Sequence, residues 1–230
     1  MAETDLRDET AGRDAGGRRV GVLGSGDVGR TLGSGFASRG WDVEMGTRHP
    51  DVLADWVETV EGDVGVGSFA NAAAHGDLAV LAVVGAAAED VLRLAVPENF
   101  AGTVVLDATN PLAAPDDDGI PHLLFGGTDS LGERVQRRLP DADVVKCFNT
   151  VSYLQMVDPS FDAATPPMFV CGDDPDAKAR AEDVVVELGW PGTFDVGDIT
   201  AARYLEALVP LWVRVGAALD TYRHAFGVVQ

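Results

Sequence analysis

Cysteine and lysine are nearly absent from this chain of 230 residues, which has two of each against 15 arginines. Cys147 and Cys171 each sit inside an apolar run and read as small buried hydrophobes, so neither a disulfide framework nor thiol chemistry is indicated. No apolar run approaches the ~20 residues needed to cross a bilayer, and the first residues are acidic and polar rather than basic then apolar. A protein of the reducing cytoplasm is expected, with residues 1–17 a disordered acidic tail because they carry no periodicity. The histidines, His49, His75, His122 and His224, are scattered. No Ser/His/Asp set, no pair of catalytic carboxylates and no metal-ligand spacing stands out. Pro115-Asp116-Asp117-Asp118-Gly119 lacks the alternating ligands and closing Glu of a calcium loop and reads as a solvated turn.

Positive charge is the largest deficit. Seventeen basic residues against 37 acidic ones leave a net charge of −20, with Asp at 26 and Glu at 11. A chain this acidic repels nucleic acid and anionic membranes, and both are excluded as partners. Such self-repulsion is most tolerable where salt screens it. A salt-adapted, halophilic protein is therefore expected, and loss of stability on going from dilute to molar salt would contradict this.

The chain does have a glycine-rich turn near its start. Val20 to Leu23 reads as a buried strand, followed by Gly24-Ser25-Gly26-Asp27-Val28-Gly29 and a helix whose Val28, Leu32 and Phe36 share one face. In a strand–turn–helix dinucleotide site Gly24 permits the tight turn, Gly26 admits a pyrophosphate, and Gly29 lets helix and strand pack closely. The helix start adds free N–H groups and about half a positive charge. The next strand, Asp42 to Met45, ends in Gly46-Thr47-Arg48, at the place where an NAD site usually carries a carboxylate for the ribose 2′-hydroxyl. A hydroxyl and a guanidinium there favour a 2′-phosphate instead, hence NADP(H).

Further along, the pattern alternates in the manner of an α/β chain. A helix over 51–60, a strand over 64–69 and a small-residue helix to His75 lead to Leu78–Val84, an unbroken apolar run as a doubly covered strand requires. Its end at Val84 should face the cofactor. Thr103–Ala108 is the next buried strand, and Asn110 just beyond it is a candidate neighbour of the nicotinamide. Residues 113–128 read as a long loop, followed by a helix capped at Asp129 or Ser130 and a strand over 144–149 that ends at Asn149. Lys146 in that strand reads either as a buried ion-pair partner or as a ligand contact. Then come a strand over 167–172, an Asp174-capped helix to Leu188 and a strand over 193–196. A last helix from Asp198 to Phe226 should be kinked at Pro210, its apolar face formed by Leu205, Leu208, Leu211, Trp212 and Val215. The expected fold is a Rossmann doubly wound α/β domain over 18–150, with a mostly parallel sheet and helices on both faces. Residues 151–230 add a βαβ extension and a long helix, packed on the same sheet or at a dimer interface.

Taken together, the glycine turn, Gly46-Thr47-Arg48, Asp107-Ala108-Thr109-Asn110-Pro111-Leu112, Val144-Val145-Lys146-Cys147-Phe148-Asn149-Thr150, Gly172-Asp173-Asp174-Pro175-Asp176-Ala177-Lys178 and Ala202-Arg203-Tyr204-Leu205-Glu206 resemble the F420-dependent NADP oxidoreductase family, in the same order over about residues 18–225. The resemblance implies a Rossmann domain with a small carboxyl-terminal segment, usually dimeric. It also implies hydride transfer between NADPH and the deazaflavin coenzyme F420. That step needs alignment of two rings rather than a general acid, so no catalytic acid or base is named. By resemblance and position, Gly24, Ser25, Gly26, Asp27, Val28, Thr47 and Arg48 would bind NADP(H), with Val84, Asn110 and Asn149 bordering the nicotinamide. Two other readings stay open: an NADPH-dependent reductase of a carbonyl or imine, for which Lys146 is the candidate proton donor, and a non-catalytic NADP(H)-binding redox sensor.

Overall fold

Six parallel strands form the centre of the computed structural model, which describes residues 18–115, 117 and 119–229. The tail assigned to residues 1–17 lies outside the described residues. Strands and helices alternate as β1 (Arg19–Leu23), α1 (Asp27–Ala37), β2 (Asp42–Gly46), α2 (Ala54–Val57), β3 (Val64–Gly67), α3 (Phe69–Ala73), β4 (Leu78–Leu81), α4 (Ala88–Ala95) and β5 (Val104–Asp107). After β6 (Leu112–Pro115) and β7 (Pro121–Leu123) come α5 (Leu131–Arg138) and β8 (Asp143–Lys146). The sheet order is β3-β2-β1-β4-β5-β8, with the chain reversing direction of travel between β1 and β4. This is the doubly wound Rossmann arrangement, whose ligand crevice opens beyond the carboxyl ends of the strands at that reversal.

Alternate strand residues feed two cores. Val20, Val22, Met45 and Val80 pack on one face with Leu32 and Phe36 of α1 and with Trp41. Leu23, Leu81 and Val105 pack on the other with Phe69 of α3, Val91 and Leu92 of α4, and Leu131 and Val135 of α5. Every residue of β4 is buried, which explains why its sequence shows no polar alternation.

Several expected boundaries shift. The helix expected over 51–60 is a 3-10 turn over Pro50–Leu53 followed by the single turn of α2. The expected loop over 113–128 contains an antiparallel hairpin, with Leu112 opposite Leu123 and Pro115 opposite Pro121. Alternation is too brief in three- and four-residue strands to signal them. Within the hairpin's acidic turn, Asp116 and Asp118 lie outside the described residues.

The carboxyl-terminal part comprises β9 (Met168–Val170), α6 (Pro175–Glu187), β10 (Thr193–Asp195) and α7 (Ala202–Leu219). β9 and β10 pair in parallel as a separate two-stranded sheet. They join the main sheet at its β8 edge through Lys146 and Cys171, which exchange backbone hydrogen bonds of 2.9 and 3.2 Å. The last helix ends at Leu219 rather than Phe226, because Asp220 takes a left-handed conformation (φ 53°) that Asp tolerates better than most residues. The chain then folds back. His224 stacks on Trp212 at 4.7 Å between ring centres, and the Trp212 indole N–H donates to the His224 carbonyl.

α7 continues through Pro210, which removes the N–H that the Glu206 carbonyl would have accepted. Its buried stripe is Ala202, Leu205, Glu206, Val209, Trp212 and Gly216. Leu211, expected on the core face, is 53% exposed and lies instead on the outer side with Tyr204 and Leu219, whereas Leu208 packs partly against the cluster of Cys171, Ala202 and Leu205 as expected and Val215 is half-buried. The helix has apolar residues over more than half its circumference, so sequence periodicity could not tell which stripe faces inward.

Candidate functional site

The β1–α1 turn forms the floor of a cleft of about 480 Å³ at the reversal point of the sheet. Gly24, Ser25, Gly26, Asp27 and Val28 line it from the turn, and Thr47, Arg48 and His49 from the end of β2. Ala82, Val83 and Val84 line it from the end of β4, and Ala108 from the end of β5. The three motif glycines meet different demands. Gly24 has φ 138°, and a Cβ there would strike the Ala82 carbonyl; a Cβ at Gly29 would strike the Gly24 carbonyl. Gly26 is ordinary extended backbone (φ −81°), exposed, and a Cβ there would meet nothing within 4 Å. The fold does not need glycine at position 26. A ligand pressed against the backbone does, and a pyrophosphate over the N-terminus of α1 fits that cradle. The first N–H groups of α1 have no acceptor within the helix, and no side chain caps them.

At the far end of the cleft, Thr47 is buried and donates through Oγ1 to Ser25 Oγ at 3.2 Å, while the same oxygen accepts from the His49 amide. This contact fixes the end of β2 against the glycine turn. Arg48 beside it is exposed and makes no ion pair among the described residues, which leaves its guanidinium available to an anion. Val84, 72% exposed, presents an apolar surface to the cleft.

Asn110 and Asn149 are brought together, but neither lines this cleft. The Asn110 side-chain N–H donates to the Asn149 carbonyl at 2.8 Å, and Asn149 Nδ2 donates to Asn110 Oδ1 at 3.0 Å. The pair ties the carboxyl ends of β5 and β8 together. Asn149 follows Phe148, a buried residue with φ 59°, a costly conformation for a bulky side chain. That turn swings the chain back over α1 and carries Tyr153 to the cleft wall, a placement the sequence did not suggest. Phe69, Ala87 and Val91 complete the lining and were likewise not anticipated, since each sits inside a segment whose pattern indicated only core packing.

The two readings of Lys146 are resolved in favour of the ion pair. Its ammonium is fully buried, 2.8 Å from Asp107 Oδ2 and 2.9 Å from Glu206 Oε1, and donates to the Thr109 carbonyl at 2.9 Å. Burial alone would lower its pKa; the two carboxylates outweigh that and hold it above the ordinary lysine value. Glu206 also accepts from the Leu131 and Gly132 amides, both at 2.9 Å, so a carboxylate from α7 caps the start of α5. Asp107 Oδ1 accepts from the backbone and hydroxyl of Thr109. Lys146 is therefore a brace between β5, β8, α5 and α7, closed off from the cleft. The cysteines are equally inert: burial pushes the Cys147 thiol well above its usual range and Cys171 to about 12. No cluster of His, Cys, Asp or Glu able to hold a metal occurs among the described residues.

Comparison with known proteins agrees with this geometry. Residues 19–111 match the sequence model of the family described as NADP oxidoreductase, coenzyme F420-dependent. The crystal structure of a candidate F420-dependent NADP-reductase from Arthrobacter sp. FB24 superposes with a TM-score of 0.86 at 38% identity, covering 94% of this chain and all of that one. The F420-dependent NADP reductase of Methanocaldococcus jannaschii is 28% identical over 145 residues, 62% of this chain and 63% of that protein. The metalloreductase STEAP3 of Rattus norvegicus is 26% identical over 198 residues, 84% of this chain and 38% of that protein. The chain thus spans less than two thirds of each of these two curated relatives. With 38% identity and a TM-score of 0.86 over nearly the whole of the Arthrobacter chain, and with residues 19–111 matching the family model, the chain belongs to the coenzyme F420-dependent NADP oxidoreductase family.

Proposed function

We propose that the chain binds NADP(H) in the cleft over the β1–α1 turn and transfers hydride between it and coenzyme F420. The observation that carries the nucleotide reading is Gly26, a glycine that the fold leaves open on the cleft side. Gly24 to Val28 would hold the pyrophosphate, and Thr47 and Arg48 the adenosine ribose with its 2′-phosphate. Val84 would border the nicotinamide, with the Asn110–Asn149 pair holding the strand ends behind it. The nicotinamide supplies a hydride when bound; the protein's part is to seat the ring, exclude water and orient the acceptor. F420 as acceptor is supported by the family match, whereas reduction of a carbonyl or imine would call for a proton donor at the ring. Lys146 is too deeply braced for that task.

The phosphate assignment is tested by Arg48→Ala. NADPH affinity should fall by about 1.5–3 kcal/mol, the loss of a hydrogen bond to a charged group, with NADH affinity almost unchanged. Equal losses for both nucleotides in a binding titration would remove Arg48 from that role.

A further inference from the structure

Arg30, at the end of the first turn of α1, is a cation without a counter-charge in a chain where acids outnumber bases by 37 to 17. Arg18, Arg39 and Arg203 each grip a carboxylate at 2.5–2.7 Å. Arg30 makes no ion pair among the described residues. Its Nε is buried with no acceptor, and its guanidinium donates instead through Nη2 to the Val52 carbonyl at 2.7 Å. Native folds leave few buried N–H groups unmatched, so the place this guanidinium occupies calls for a reason.

Val52 lies in the 3-10 turn that follows Arg48, and the run from Thr47 to Val52 is pinned to the β1–α1 unit at both ends. At its start Thr47 Oγ1 donates to Ser25 Oγ and accepts from the His49 amide, both at 3.2 Å. At its end the Val52 amide donates to the His49 carbonyl at 3.1 Å, and the Val52 carbonyl accepts from Arg30. Arg48 lies exposed between the two pins. Arg30 also lines a groove of about 540 Å³ that runs along α1 toward Trp56 of α2 and shares Asp27 with the nucleotide cleft. That side of α1 faces the connection after β2, the adenosine side of a Rossmann crevice. The two pins differ in kind. Thr47 and Ser25 form a neutral contact that fixes only the start of the loop. Arg30 reaches across from a helix whose own register is set by the glycine turn, its amide donating to the Gly26 carbonyl at 2.9 Å. A charge-assisted bond from a planar, preorganised guanidinium is the stronger and more directional of the two.

We propose that Arg30 is a positioning residue for nucleotide choice. By holding the Val52 carbonyl it keeps the loop over 47–52 closed on α1 and Arg48 in place for the 2′-phosphate, and so sets the preference for NADPH over NADH. This inference rests on the NADP(H) reading of the cleft. Arg30 acts through Arg48 and does not itself touch the nucleotide, so its loss is felt only by a nucleotide that carries the 2′-phosphate.

The test is a binding titration of NADPH and of NADH onto the full chain, using wild type, Arg30→Met, Arg30→Lys, Arg48→Ala and the double variant of Arg30→Met with Arg48→Ala. Methionine keeps an apolar stem and removes the donor. It should weaken NADPH binding by about fivefold, part of the loss that removing Arg48 itself causes, and leave NADH within about twofold. Lysine can still donate to the Val52 carbonyl and should restore NADPH affinity to within about twofold of wild type. In the Arg48→Ala background the methionine substitution should change NADPH affinity by less than about twofold, because the group it positions is gone. Equal losses of NADPH and NADH in Arg30→Met would reduce Arg30 to a structural role and overturn the proposal, as would unchanged NADPH binding. A further fivefold loss in the double variant would make Arg30 a direct ligand of the phosphate and also overturn it. Wild type that binds both nucleotides equally, or an Arg48→Ala variant that keeps the preference for NADPH, would instead remove the reading beneath the proposal.

Discussion

Gly24 and Gly26 are two residues apart in one turn, yet the fold demands only the first. At Gly24 a positive φ and the Ala82 carbonyl exclude any side chain; at Gly26 neither constraint applies. Gly26→Ala should therefore change stability by less than about 1 kcal/mol, since alanine restricts the unfolded chain without straining the native one but is a poorer N-cap for α1 than glycine. The same methyl group should obstruct the pyrophosphate. Thermal melts paired with NADPH titration check this, and an alanine variant that binds NADPH as tightly as wild type would contradict the cradle. At this scale the sequence was informative where chemistry is local. The glycine spacing and the Thr47-Arg48 tip lie within single βα turns, so their neighbours could be read from adjacent letters. Lys146 was not legible in this way. One of its carboxylate partners, Glu206, is 60 positions downstream, and only the return of α7 across α5 brings it within 2.9 Å. Tyr153 was hidden for the same reason, because the reversal at Phe148 has no signature in a bulky apolar residue.

Among elements, the joint between α5 and α7 is electrostatic at its rim as well as in its buried centre. Arg203 of α7 forks onto Glu133 of α5 at 2.5 and 2.8 Å, and Ser130 Oγ donates to the same carboxylate at 2.7 Å. The Arg203 hydrogen bond is the chief reason that the Glu133 pKa lies below its ordinary value of 4.5. A carboxylate depressed in the folded state contributes stability that is fully present above its unfolded pKa and is lost as pH falls through the folded one. The difference in urea midpoint between wild type and Glu133→Gln should thus be constant from about pH 7 to pH 5 and shrink below about pH 4.5. A pH-independent gap would show that the fork contributes through shape rather than charge. Helices and buried strands of this layer were foreseeable because each buries a long enough stripe to set a period. The β6–β7 hairpin and the stop at Asp220 were not, since strands of four and three residues flanking a polar turn and a single left-handed residue leave no period to count.

For the whole molecule, charge restricts where two copies can meet. The chain carries −20, but α7 carries no exposed carboxylate: its one acid, Glu206, is 1% exposed. Tyr204, Leu211 and Leu219 are exposed on that helix, with Val215 half-buried between them. Were two copies to pair as the family resemblance implies, this is the face along which acidic surfaces would not be forced together. Leu211→Glu would place an unpaired carboxylate in that contact and should weaken dimerisation by ~100-fold, the equivalent of about 2.7 kcal/mol. Sedimentation in molar KCl, where screening is strong, would report it. A wild-type monomer at micromolar concentration would refute the dimer, and a Leu211→Glu dimer would move the interface elsewhere.

The proposed hydride transfer from NADPH to F420 is read most directly as absorbance at the deazaflavin band. Purified chain, NADPH and oxidised F420 are combined in molar KCl and the band is followed over time. Bleaching that requires both protein and NADPH, and that slows markedly when NADH replaces NADPH, is the expected result. A band that stays constant while NADPH binding is still measurable would exclude F420 as the acceptor and leave the cleft as a nucleotide site with another acceptor or none.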